Sequence, residues 1–150
     1  MTPALASASG QIEPFSMKLD SGEEITVFTY RQEKTVSIAL RVTGPGETQI
    51  FISAIQIPDT GTQLTVSTSA GLYKLRRPAG KAVAVYDNDE KVVGKDQKFL
   101  TGSADVFDRV ETLRQLIATK VAASQNINVD AVGSQTLKEL VVASKVFAAK

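Results

Sequence analysis

The stretch QKFLTGSADVFDRV, residues 97–110, decides the fold, because the hydrophobic period changes inside it. Upstream, apolar residues alternate with polar ones, as in strands. Downstream they recur about every three to four positions, as on one face of a helix. Within the stretch Ser103 offers an N-cap hydroxyl, and Asp105 and Asp108 fall in the first turns, where the helix dipole favours acids. Val106, Val110, Leu113, Ile117 and Val121 then form a stripe, widened by Phe107 and Leu116. Asn126 to Asn128 breaks the helix. A second helix starts near Asp130 or Ser134, with Leu137, Leu140, Val141, Ser144 and Phe147 inward. The short connection makes the pair an αα-hairpin.

Working back from residue 97, the chain reads as strand after strand. TVSIALRVT, residues 35–43, alternates Val36, Ile38, Leu40 and Val42 against Thr35, Ser37, Ala39, Arg41 and Thr43, which predicts one buried and one wet face. EITVFTYRQ, residues 24–32, is rich in β-branched and aromatic residues. TQIFISAIQI, residues 48–57, is apolar on both faces for part of its length and is expected centrally. Further strands are expected over residues 15–19, 63–69, 72–77 and 81–86, with short, edge-like ones at 91–94 and 98–101. Turn signals at Asp20-Ser21-Gly22, Gly44-Pro45-Gly46, Asp59-Thr60-Gly61 and Asp87-Asn88-Asp89 have the spacing of a meander. The expected architecture is α+β: an antiparallel meander sheet of about six or seven strands followed by two C-terminal helices.

Of 150 residues, 43% are apolar and 22% charged, the balance of one folded domain over residues 15–150. Residues 1–14, rich in Ala, Ser, Pro and Gly, read as a flexible lead-in and not as a secretory signal. No window approaches the length that spans a membrane, so no membrane partner is expected. There is no Cys and no His. That excludes disulfides, Ser-His-Asp and Cys-His machinery and the usual zinc sites. No enzyme, no metal and no cofactor is expected. An enzyme would have to use carboxylates, Tyr or Lys, for instance Glu24, Asp87 or Glu111, and no spacing supports one. A net charge of +1 argues against a binder that works through global positive charge, but leaves room for a local basic patch.

Three apparent motifs fail on inspection. Asp87-Asn88-Asp89-Glu90 lacks the Gly at position 92 and the Glu at position 98 of a calcium loop; Val92 and Lys98 stand there. Ala79-Gly80-Lys81-Ala82 has Leu75 where a phosphate loop needs its first Gly and Ala82 where it needs a hydroxyl. Gly44-Pro45-Gly46 joins strands and opens no helix. What remains is a basic set: Arg31, Arg41, Lys74, Arg76, Arg77 and Lys81. Strand parity nominates Thr29, Arg31, Ser37, Arg41, Thr43, Lys74 and Arg76 as an RNA-binding face, since Arg and Lys hold phosphates and hydroxyls reach bases or 2′-OH groups. A plain solvated face has the same composition. Tyr30, Tyr73 and Tyr86 are each candidates for base stacking or for sheet packing.

A meander of about seven short strands followed by two helices resembles the coat protein of single-stranded RNA bacteriophages of the levivirus type. Tyr30-Arg31-Gln32, followed by Lys34 and TVSIALRVT, is similar to the Arg-Gln turn and strand of several such coats. FLTGSADVFDRVETLRQLIATKVAAS, residues 99–124, is similar to their passage from last strand to first helix. The resemblance runs from about Phe15 onward; the second helix and its tail are long for the family. It implies a capsid protein of the virion: an obligate homodimer whose helices cross over the partner's sheet. Dimers would assemble into an icosahedral shell in the bacterial host cytoplasm, with single-stranded genomic RNA on the helix-free sheet face. The helices' apolar stripes would then need a second sheet to bury them, and the loops at 44–46 and 59–61 would lie between dimers. The alternative from the residues alone is a non-enzymatic α+β binding module, with a ligand or protein held at a pocket between sheet and helices.

Overall fold

A computed structural model of the chain describes residues 9–32, 35–57, 61–94 and 96–148. Residues 1–8, Lys34 and the Asp59-Thr60 part of one expected turn lie outside these. Seven strands, β1 (Ser9–Lys18), β2 (Glu24–Gln32), β3 (Thr35–Thr43), β4 (Gln49–Ile57), β5 (Gly61–Thr68), β6 (Gly71–Arg76) and β7 (Ala84–Asp87), form one antiparallel sheet in sequence order. Three helices follow: α1 (Gln97–Ala122), the single turn α2 (Val129–Val132), and α3 (Ser134–Ser144), which continues into a 3₁₀ turn, Lys145–Phe147. The α+β meander expected from the sequence is therefore the fold, and β4 is its middle strand.

The register assigns every side chain to a face. One row across the sheet is Val27–Leu40–Ile52–Val66–Tyr73, and the next is Thr29–Ile38–Ala54–Leu64–Leu75–Val85. These rows lie under α1, whose Val106, Val110, Leu113, Ile117 and Val121 are all buried. α1 contacts β3, β4, β6 and β7, and α3 packs alongside α1. Gly102 permits that close packing: a β-carbon there would lie 2.8 Å from Val146 Cγ2. The ends of the helical layer meet the sheet in a ring cluster, Tyr73, Phe99 and Phe147, with centroids 5.6–6.1 Å apart.

The helical stripes are thus buried within one chain, and the expectation that they need a second sheet is corrected. A largely buried ion pair within α1 ties the helix to the sheet through hydrogen bonds from each member. Arg114 is 6% exposed, donates to both oxygens of Glu111 at 2.9 Å, and donates to the Val36 carbonyl of β3 at 3.1 Å. Thr62 of β5 donates to the same carboxylate at 2.7 Å.

Boundaries depart from the sequence expectation in four places. β1 begins at Ser9, not Phe15, and runs through Pro14. Proline lacks an N–H, but β1 is an edge strand and its register shifts between Ile12 and Phe15, so no ladder bond is missed. The expected strand at 98–101 is the first turn of α1. Asp96, not Ser103, is the N-cap, its carboxylate accepting from the Phe99 N–H at 2.8 Å. Ser103 is buried inside the helix and donates to the Phe99 carbonyl. With the segment helical, Phe99 packs in the ring cluster, and such tertiary packing overrides the weak β pattern. Asp105 and Asp108 consequently lie beyond the first turn and pair with Arg109 and Arg77. The expected strand at 91–94 reduces to one bridge, Tyr86 to Val92, and the one at 81–86 shortens to β7.

Candidate nucleic-acid interface

Among the described residues, no helix covers the other side of the sheet. Its residues form rows interleaved with the core rows. The first is Ser16–Thr26–Arg41–Phe51–Ser67–Leu72, the second Phe28–Ala39–Ser53–Thr65–Lys74–Tyr86. A third places Tyr30 beside Ser37 and runs on through Ile55, Gln63, Arg76 and Ala84. Thr43 lies in a fourth row, between Glu24 and Gln49. Hydroxyls, amides, aromatic rings and cations thus share one surface. Tyr30, Phe51 and Ile55 are more than 40% exposed on it, unusual for large apolar side chains.

Five of the seven nominated residues, Ser37, Arg41, Thr43, Lys74 and Arg76, lie on this open face. Thr29 and Arg31 do not, and their placement is corrected. Thr29 stands opposite Ile38 in a core row and is 2% exposed. Arg31 stands opposite Val36 on the helix side. There it borders a cleft of about 470 Å³ with Ile12, Phe15, Val121 and Asn126, and it also edges a shallow depression beside Tyr30 and Ser37. In their place the structure brings Phe28, Phe51, Ser53, Gln63 and Thr65 to the open face, whereas Thr26, on the same side, is buried at 6% exposure beside Ser16. Both alternating sets of β2 carry apolar residues, so its parity is ambiguous alone. The missed signal was hairpin length: pairing Gln32 with Thr35 across two residues puts Thr29 opposite Ile38.

The cations differ in their surroundings. Arg41 stacks over the Phe28 ring at 5.5 Å and has no ion-pair partner among the described residues. Arg76 lies over Tyr86 at 4.8 Å, and its Nε donates to Gln63 at 2.7 Å. Lys74 and Arg76 both pair with Glu90, from the turn after β7. The hydrogen bonds from Arg76 and then Lys74 hold the Glu90 carboxyl down at about 2. Arg77 points the other way, stacking over Phe107 and pairing with Asp108. Tyr30 and Tyr86 are on the open face, whereas Tyr73 is in the ring cluster under the helices.

The carboxylates Glu24, Asp87 and Glu111 are not brought together. Glu111 is held by Arg114, Thr62 and Gln115. Asp87 accepts the backbone N–H groups of Asp89 and Lys91, and Glu24 pairs across the strands with Lys18 and Thr43. No group of three or more acids that could hold a metal occurs among the described residues, and no described helix is long and apolar enough to cross a membrane. No family model, curated protein or solved structure matches this chain.

Proposed function

We propose that this chain is a coat-type structural protein that binds single-stranded RNA on the open sheet face, forms homodimers and assembles into an icosahedral shell. The observation that carries the RNA contact is the helix-free face itself. It sets Arg41, Lys74 and Arg76 among Ser and Thr hydroxyls and the exposed rings of Tyr30 and Phe51. Cations on such a face neutralise phosphates, and rings supply stacking surfaces that any base can use. Self-assembly, the virion and the bacterial host rest on the resemblance in element order. A second reading is a ligand-binding module, favoured by the cleft beside Arg31 at the junction of sheet and helices.

Expression of the chain alone in bacteria, followed by size exclusion, ultraviolet absorbance and electron microscopy, separates the two. Uniform round particles with a nucleic-acid-rich spectrum are expected. A small species free of nucleic acid would overturn the coat reading and leave the binding module.

A further inference from the structure

Lys74 and Arg76 are arranged as an anion site with an occupant of the chain's own. Arg76 Nη1 lies 2.9 Å from Glu90 Oε1, its Nη2 donates to Oε2 at 3.2 Å, and Lys74 Nζ also reaches Oε2. Two cations on two oxygens of one carboxylate is an arrangement that also suits the two non-bridging oxygens of a phosphate. Glu90 comes to it from a turn fastened elsewhere. Asp87 Oδ1 accepts from Asp89 N–H at 2.9 Å and from Lys91 N–H at 3.0 Å, and Glu90 itself has a φ of 64°, unusual for a residue with a β-carbon. The fork of Arg76 does not depend on Glu90 for its orientation, because Gln63 and the Tyr86 ring position it from β5 and β7. The Glu90 side chain is 48% exposed, so its ion pairs are weak and open to displacement.

We infer that Lys74 and Arg76 form a phosphodiester subsite of the open face, which Glu90 fills at rest and a nucleic-acid phosphate displaces. This rests on the RNA reading above and adds a competitor to it. At rest the three groups carry a net charge of +1; with the carboxylate removed they carry +2. RNA then meets one more uncompensated cation.

The test is binding of a fluorescent single-stranded oligouridylate to the full chain across a salt series, for the parent, Glu90→Gln, Glu90→Gly and Arg41→Ala. Glycine suits the φ of Glu90, so the two Glu90 substitutions remove the charge with different backbone demands. Both are expected to tighten binding about tenfold near 0.1 M salt and to steepen the log–log salt slope by about one unit. Neither is expected to do so when Lys74→Ala and Arg76→Ala are also present. Unchanged or weaker binding by both Glu90 variants, with Arg41→Ala still weakening the parent, overturns the subsite and leaves the RNA reading standing. Absence of RNA binding by every variant overturns the RNA reading and the subsite with it. Inorganic phosphate separates the two anion sources: a gain for phosphate alone, without a gain for RNA, overturns the assignment to a phosphodiester.

Discussion

The two faces of the sheet differ although every strand contributes to both. Val27, Leu40, Ile52 and Val66 form one row. One residue away along each strand, on the opposite face, Thr26, Arg41, Phe51 and Ser67 form another. The first row is dry: each member is at most 1% exposed. There, volume and shape are constrained by the helices and by neighbouring strands, and these four positions are filled by aliphatic residues. Among the described residues no helix lies over the second, and apart from Thr26, which is 6% exposed, packing constrains its residue types less. Cations, hydroxyls and half-exposed rings on a face less constrained by packing are where recognition chemistry has room.

The largest effect should come from placing a charge against the dry face, on the helix that covers it. Leu113→Asp puts a carboxylate where the side chain is 1% exposed. It is expected to cost roughly 4 kcal/mol or more, enough to unfold most of the chain, read as loss of the cooperative thermal transition. Next comes the ion pair on α1 whose two members each hydrogen-bond to the sheet. Arg114→Ala leaves the Glu111 carboxylate short of its counter-charge and removes the donor to the Val36 carbonyl, and should cost about 3 kcal/mol in urea unfolding.

The same pair sets an acid dependence. Burial pushes the Glu111 carboxyl up, but hydrogen bonds from Arg114, Thr62 and Gln115 bring it below its ordinary 4.5. A depressed folded value means the stabilisation is present above the unfolded value and is lost as pH falls through the folded one. Stability should therefore decline below about pH 4.5. Urea midpoints at neutral and acid pH should show a shallower decline in Glu111→Gln.

On the open face the effects should be on binding and not on folding. Arg41→Ala is expected to weaken RNA binding about tenfold and reduce the salt slope by about one unit. Its thermal midpoint should stay close to the parent's, since its guanidinium has no ion pair to lose among the described residues. The smallest effect sharpens the contrast between faces. Thr29→Val, on the helix side, should leave RNA affinity unchanged. A loss comparable to that of Arg41→Ala would return Thr29 to the interface, against its register.

Much of this was legible before the structure. The alternation of residues 35–43 and the switch of period after residue 97 announce strands and then helices, because burial of one face imposes its period on the chain. The buried faces of α1 and α3 match the predicted stripes, including Ser144 and Phe147. What failed were decisions that local pattern leaves even. Ser103 and Asp96 are both capable caps, and the contacts of Phe99 with Tyr73 and Phe147 selected the earlier one. Thr29 and Arg31 alternate with aromatic residues that read equally well as core. Glu90 showed no signal, since its link to Lys74 and Arg76 spans 16 and 14 residues.

The sequence by itself determined the class of fold, the order of its elements and the absence of cysteine and histidine chemistry, because these follow from residue types and their period. Only the tertiary structure decided which face of β2 meets water, where α1 begins, and which carboxylate neutralises which cations. Each of those depends on pairing between distant segments, and a chain's local pattern does not contain the register in which its strands meet.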